Sequence, residues 1–94
     1  MTVRKINQKQ AAKLMERNAR LYDVRDAISF RDGTLPGANH LVLRRISELF
    51  KLAKGTHIIL FGHSYDDPDL LSAINYLEQY GYTNVYNLGS KETK

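Results

Sequence analysis

The sequence contains no cysteine among its 94 residues, and it also contains no tryptophan. The absence of cysteine excludes disulfide bonds, thiolate metal sites, persulfides and every cysteine nucleophile. Long apolar runs are missing as well, since no segment approaches the roughly 20 apolar residues that a membrane-spanning helix needs. The amino terminus lacks the apolar core of a signal peptide. We therefore expect a cytoplasmic protein that does not bind membranes.

The composition is typical of a small globular protein, with 43% apolar and 26% charged residues. A chain of this length can bury one core, so we expect a single domain over residues 1–94 with a polar tail from about residue 90. Residues 1–54 carry twelve lysines and arginines against five acidic residues, and residues 55–94 carry two against five. The basic residues are spread singly and are not interleaved with aromatic residues, so we expect no nucleic-acid partner. Binding of nucleic acid or an acidic protein by the basic half is an alternative.

Helix and strand patterns alternate in the first half of the chain. Asn7 and Gln10 form a capping box, which predicts a helix to about residue 18. Residues 21–24 then predict a short strand, after which Asp26 caps a helical turn. Pro36 and Gly37 suit a type II turn, because Pro36 presets its own φ and Gly37 accepts a positive φ.

The alternation continues to the end of the chain. Residues 39–42 predict a second strand, and apolar spacing from residue 43 predicts a helix that ends at Gly55. Residues 58–61 are a continuous apolar run, typical of a parallel strand that is buried on both faces. Asp67 then caps a helix over residues 67–81 whose buried stripe includes Tyr80, and residues 83–88 predict a last strand.

Strands that alternate with helices predict an α/β fold, here a small open parallel sheet of about four to five strands with helices on both faces. In such sheets the functional crevice lies beyond the carboxyl ends of the strands. We therefore predict that the binding site lies in the loop after the central strand. Residues at the ends of the other strands and just after them are predicted to flank it. The loop residues are Gly62, His63, Ser64, Tyr65, Asp66 and Asp67, and the flanking residues are Asp23, Arg25, His40 and Arg44.

Three motifs in this order resemble the rhodanese family of single-domain sulfurtransferases. Leu21–Arg25 is similar to the family's strand of leucine, isoleucine, aspartate, valine and arginine. Residues 26–38 are similar to its segment of aspartate, an aromatic residue and a closing proline, glycine and alanine. Residues 81–89 are similar to its glycine, aromatic, asparagine and valine ending. The resemblance covers roughly residues 6–90 and implies a rhodanese-like fold.

The departures from the family fall where its chemistry takes place. In the family a cysteine directly follows the central strand and opens a loop whose N–H groups surround a persulfide sulfur. Gly62 stands at that position here, and Ser64 takes it if the alignment is counted back from Gly81. Thr34 also replaces the family's usual histidine, and the closing tryptophan segment is missing. The resemblance thus implies a catalytically inactive domain that acts as a binding or regulatory module.

Other functions for the loop are open at this point. The chain could be a sulfurtransferase whose nucleophile is supplied by a partner or has been removed. His63 beside Ser64 could form a hydrolytic pair, and His63 with three aspartates (66, 67 and 69) could form a metal site, but Asp67 and Asp69 suit a helix start better. We expect no catalytic residue, no metal and no cofactor, with weak anion binding at most. Tyr65 could be an exposed anchor for a protein partner or could pack over its own loop.

Overall fold

The computed structural model describes residues 4–94, and within this range five parallel strands form one sheet. The strand order is β1-β5-β4-β2-β3, so β4 lies at the centre of the sheet. The predicted parallel α/β fold is confirmed, with helices on both faces of the sheet. The strands are β1 Arg4–Lys5, β2 Arg20–Asp23, β3 Asn39–His40, β4 Ile58–Gly62 and β5 Val85–Ser90.

Three α-helices and one 3-10 helix connect the strands. The helices are α1 Gln8–Glu16, α2 Ala27–Asp32, the 3-10 helix Leu43–Lys51 and α3 Pro68–Gln79.

The first helix begins as the sequence predicts. The Asn7 side chain accepts a hydrogen bond from the Gln10 backbone N–H at 2.8 Å, and the Gln10 side chain accepts one from the Asn7 N–H at 2.9 Å. This reciprocal pair satisfies two N–H groups that have no partner within the helix. The helix ends slightly earlier than predicted, because Asn18 takes a left-handed conformation with φ 68°.

The α-helix predicted from Leu43 to Gly55 is wrong in type and in length. The segment is a 3-10 helix that ends at Lys51 and is kinked at Arg45. Leu43, Ile46 and Leu49 recur at intervals of three, which fits a 3-10 helix, because side chains three residues apart lie directly above one another in it. Phe50 departs from that period and also fits the face of an α-helix, so the spacing alone does not separate the two helix types. Tyr82 closes its end, because the hydroxyl contacts the carbonyl oxygens of Leu49 and Leu52 at 2.8 and 2.7 Å.

The hydrophobic core lies in two layers, one on each face of the sheet. Ile58 and Leu60 of β4 point into the layer covered by α3 and the 3-10 helix, while Ile59 and Phe61 point into the layer covered by α1. All four side chains have no exposed surface. The prediction of a strand buried on both faces is therefore confirmed.

Three further features differ from the sequence prediction. Tyr80 is 54% exposed and stacks on the ring of Phe50, with the centroids 3.9 Å apart, so it lies outside the buried stripe of α3. Strand β1 has two residues and was not predicted, because so short a segment carries no periodic pattern. Strand β5 extends to Ser90, where the tail begins.

The tail folds back onto the domain. The Lys91 ammonium group donates a hydrogen bond to the Gly33 carbonyl at 3.1 Å. Within residues 4–94, no helix combines the length and the apolar character needed to cross a membrane.

Replacing Tyr82 with phenylalanine tests how the 3-10 helix is held. We expect the free energy of unfolding to fall by about 1–2 kcal/mol, because the substitution removes the buried hydroxyl that two carbonyl oxygens contact. Tyr80→Phe is the matched control, and we expect a change below about 0.5 kcal/mol because that side chain is exposed. Urea unfolding of both variants makes the comparison. Equal losses would show that the Tyr82 hydroxyl does not hold this helix.

Candidate functional site

A cleft of about 820 Å³ opens where the segments that follow β2, β3 and β4 meet. This is the edge of the sheet at which the sequence places the site. Among the predicted flanking residues, Arg25, His40 and Arg44 line the cleft, whereas Asp23 lies behind them. From the loop, the cleft is lined by His63 and Asp67, and its remaining walls include Val24, Asp26, Val42, Ile46, Asp69 and Tyr76.

Asp23 and Arg25 form a buried ion pair at the end of β2. The guanidinium Nη2 lies 2.7 Å from Asp23 Oδ2, and Nε lies 3.0 Å from Oδ1. The Arg25 backbone N–H and the Thr34 hydroxyl donate to the same carboxylate at 2.9 and 2.8 Å. Arg25 also donates to the Gly33 carbonyl at 2.7 Å. Nε and Nη2 of the guanidinium are therefore engaged by the chain itself, and its charge is paired with Asp23.

The ionisation of Asp23 follows from this set of contacts. Burial acts to raise the pKa of the carboxyl group, but hydrogen bonds from Arg25 and Thr34, together with the positive charge of Arg25, hold the pKa below its ordinary value of 3.8. Asp23 is thus ionised at neutral pH. Thr34 stands where the rhodanese family usually has histidine, and its hydroxyl completes this pair.

His40 and Arg44 differ in how firmly they are held. His40 Nε2 lies 2.7 Å from the Arg25 carbonyl oxygen, so this nitrogen carries the proton, and the ring stacks on Phe30 at 4.9 Å between centroids. Arg44 is exposed on the 3-10 helix at the rim of the cleft. Of these two side chains, Arg44 is the one that presents an exposed charge at the rim of the cleft.

The Asp67 carboxylate fills the space beside Gly62. As the N-cap of α3, Asp67 accepts from the Asp69 N–H through Oδ1 at 2.9 Å, and its Oδ2 accepts from the His63 N–H at 2.8 Å. A Cβ atom at Gly62 would lie 2.5 Å from Oδ2 and 2.9 Å from Cγ of Asp67. Two N–H groups at the start of the loop and of the helix are therefore already satisfied by the chain's own carboxylate. The sequence predicted the helix cap but not the second hydrogen bond.

Tyr65 packs on its own chain, although onto the strands more than onto its loop. Its hydroxyl donates to the Ile6 carbonyl at 2.7 Å, and its backbone carbonyl accepts from Asn87 at 3.1 Å. The ring lies against Gly89, where a Cβ atom would be 3.2 Å from two ring carbons. Gly89 also has a φ of 84°. Of the two roles open for Tyr65, packing is the one that these contacts support.

The remaining polar residues of the loop do not form a reactive group. His63 is exposed and points to Asp26, with Nε2 3.9 Å from Oδ2. Within residues 4–94, no hydrogen bond joins the side chains of His63 and Ser64, and no three histidine or acidic side chains are arranged to hold a metal ion. Asp66 is exposed at the tip of the loop. His63, Ser64 and Asp66 are therefore the solvent-exposed side chains of the loop.

Asp23→Asn tests the buried ion pair. We expect the free energy of unfolding to fall by about 3 kcal/mol at pH 7, because the Arg25 guanidinium loses its counter-charge while buried. Asp26→Asn is the control, since Asp26 is exposed and asparagine caps a helix as well as aspartate does. Denaturant unfolding of both variants measures the difference. A small effect at Asp23 would contradict the structural importance of the pair.

The same pair predicts how stability depends on pH. Because the pKa of Asp23 is lower in the folded chain than in the unfolded chain, its contribution is complete above the unfolded pKa and is lost as pH falls through the folded pKa. We therefore expect the stability difference between the native chain and Asp23→Asn to shrink below about pH 4. Unfolding curves from pH 7 down to acid measure it, and a constant difference would contradict the prediction.

Solved structures of several proteins share this fold. The chain is 26% identical to the Rhodanese_3-like domain of the Alr3790 protein from Anabaena sp., with a TM-score of 0.64 and coverage of 74% of this chain and 80% of that chain. It is 18% identical to the human single-domain sulfurtransferase TSTD1, with a TM-score of 0.72 and coverage of 93% and 89%. It is 19% identical to reduced CoADR-RHD of Bacillus anthracis, with a TM-score of 0.74. That match covers 95% of this chain but 16% of the other, longer chain.

The sequence comparison points to the same group of proteins. No curated protein sequence matches the chain at a significant level. The family description "Rhodanese-like domain" matches residues 7–90, which is most of the chain and includes the cleft and the loop. The chain therefore belongs to the rhodanese-like domain family, as a member that contains no cysteine.

Proposed function

We propose that this chain is a catalytically inactive rhodanese-homology domain that acts as a binding or regulatory module. The observation that carries the proposal is the position of the Asp67 carboxylate. It lies where the side chain of a residue at position 62 would stand, and it accepts hydrogen bonds from the N–H groups of His63 and Asp69. Such a loop has no thiol nucleophile, and the Asp67 carboxylate takes the place that a bound anion would have.

Charge around the cleft also disfavours a small dianion such as thiosulfate. Asp67 and Asp69 both line the cleft, and Asp26 stands opposite them. Like charges about 4 Å apart repel by several kcal/mol at an intermediate effective dielectric. Arg25 offsets little of this repulsion because its charge is already paired with Asp23.

The cleft suits a protein segment better than a small anion. Val24, Val42 and Ile46 give it an apolar interior, and Tyr76 adds an aromatic wall that is partly exposed. Arg44 and His63 line the cleft together with the aspartates, so that both signs of charge are present. An apolar interior with a polar rim of mixed sign is the usual composition of a protein-binding surface.

The alternative is a sulfurtransferase whose cysteine is supplied by a partner or has been removed. A cysteine at position 62 meets a steric obstacle, since its Cβ would overlap the Asp67 carboxylate. A cysteine at Ser64 meets none of this kind, because Ser64 is exposed. Cysteine substitutions at positions 62 and 64 therefore distinguish an inactive loop from a sulfurtransferase that has lost its cysteine.

The native chain should not transfer sulfur from thiosulfate to cyanide. We expect thiocyanate formation at the level of the reaction without protein, because no thiolate is present to accept the sulfur. A colorimetric assay of thiocyanate measures it, with an active single-domain rhodanese as the positive control. Thiocyanate formed in proportion to the concentration of the purified chain would contradict an inactive domain.

A double substitution tests the blocked loop. We expect Gly62→Cys combined with Asp67→Ser to form a persulfide with thiosulfate, because serine still caps α3 but frees the space beside residue 62. The thiolate would attack the outer sulfur and sulfite would leave. Mass spectrometry detects the gain of one sulfur atom and its loss to a thiol reductant.

The single variants are the controls for this experiment. Gly62→Cys alone should form at least about tenfold less persulfide, because the carboxylate occupies its space. Equal reaction of the single and double variants would show that Asp67 does not block the loop. Reaction of Ser64→Cys, but not of the double variant, would assign the nucleophile position to Ser64.

A further inference from the structure

A second groove lies between β1 and α1, near the amino end of β5. Its volume is about 610 Å³, and it shares no residue with the cleft described above. Ile6, Leu14 and Tyr86 form the floor of this groove. Ile6 and Tyr86 are nearly buried, and Leu14 is half-buried. The floor is therefore apolar, firmly packed and open to solvent on one side.

Unpaired positive charge surrounds this floor. Lys13 on α1 and Arg17, the carboxyl-terminal cap of α1, are exposed and line the groove. Arg4 lies beside the groove on β1, with Nη1 3.4 Å from the phenolic oxygen of Tyr86. Within residues 4–94, none of these three cations has a carboxylate oxygen within 4.0 Å. Glu16 is the one acidic residue that the described lining contains. The rim therefore carries an excess of positive charge that no contact of the folded chain neutralises.

The groove does not suit single-stranded nucleic acid. Base stacking needs an exposed aromatic face. Tyr86 is 9% exposed, His57 stacks on its ring at 5.8 Å between centroids, and the Arg4 guanidinium stands 5.5 Å from the same centroid. The tyrosine hydroxyl is also engaged by His57 Nδ1 at 2.9 Å. The ring is thus a fixed part of the floor and not a stacking platform.

We propose that this groove binds an acidic protein segment that places one apolar side chain on the floor, between carboxylates that pair with the basic rim. An apolar floor with an unpaired basic rim is complementary to that combination in both shape and charge. The proposal extends the binding role of the domain to a surface that is separate from the loop. It depends on neither the presence nor the absence of sulfur transfer, so the assays of the loop cannot decide it.

The test uses a short glutamate-rich peptide with one central leucine. We expect an NMR titration of the chain to shift the amide signals of Ile6, Leu14 and Tyr86. Lys13→Glu with Arg17→Glu should weaken binding at least about tenfold, because two attractive charges become repulsive. The control is Arg45→Glu with Lys51→Glu, which changes the net charge equally on the exposed side of the 3-10 helix and should weaken binding less than about twofold.

Two peptide controls separate the floor from the rim. Replacing the central leucine with serine should weaken binding to the native chain about threefold or more, because the floor loses its apolar contact. Replacing the glutamates with glutamines should abolish the salt dependence of binding. Thermal melting confirms that each protein variant is folded.

Three outcomes would overturn the proposal. The first is the absence of shifts at the groove when the acidic peptide is added. The second is equal weakening by the two pairs of charge reversals, which would mean long-range attraction without a site. The third is tighter binding of single-stranded oligothymidine than of the peptide, with shifts at the same amides, which would assign the groove to nucleic acid.

Discussion

The complete burial of β4 is the constraint on which the rest of the structure depends. Its four apolar residues point alternately into two core layers, and every one of them is excluded from solvent. Each layer needs helices to cover it, which requires parallel strands joined by crossovers. The loop after β4 must then leave the sheet at its centre, beside the segment that follows β2. The position of the cleft is a consequence of this burial.

Two carboxylates near the loop have all their close polar partners within the chain itself. Asp23 is neutralised by Arg25, and Asp67 accepts two backbone N–H groups. Backbone N–H groups at the start of a helix are ordinarily available to an external anion. Here the protein supplies the anion itself, because the Asp67 carboxylate accepts from the N–H groups of His63 and Asp69. This is why we propose recognition of a partner and not chemistry as the use of the cleft.

Most of the fold could be predicted from the sequence because its signals are local. The capping box at Asn7, the cap at Asp67 and the apolar run of β4 each depend on residues within a few positions of one another. The 3-10 helix was missed because apolar residues at positions 43, 46, 49, 50 and 53 fit one face of an α-helix as well as they fit a 3-10 helix. The exposure of Tyr80 was missed because its partner, Phe50, comes from a distant segment.

The site could be located from the sequence but not described in detail. The residues at the carboxyl ends of the strands were identified by topology alone. The contact between Asp67 and Gly62 depends on a side-chain direction within a five-residue loop, which no spacing rule specifies. The basic groove could not be predicted either, since Lys13 and Arg17 are brought to Ile6 and Tyr86 only in the folded chain.

The contact between Gly62 and Asp67 also bears on how such a loop can change over generations. A cysteine that arises first at position 62 meets the carboxylate, and an alanine or glycine that arises first at position 67 leaves the start of α3 with a weaker cap and no thiol. Two coordinated changes are therefore needed before a cysteine fits at position 62, and the second of them must keep an oxygen that caps α3.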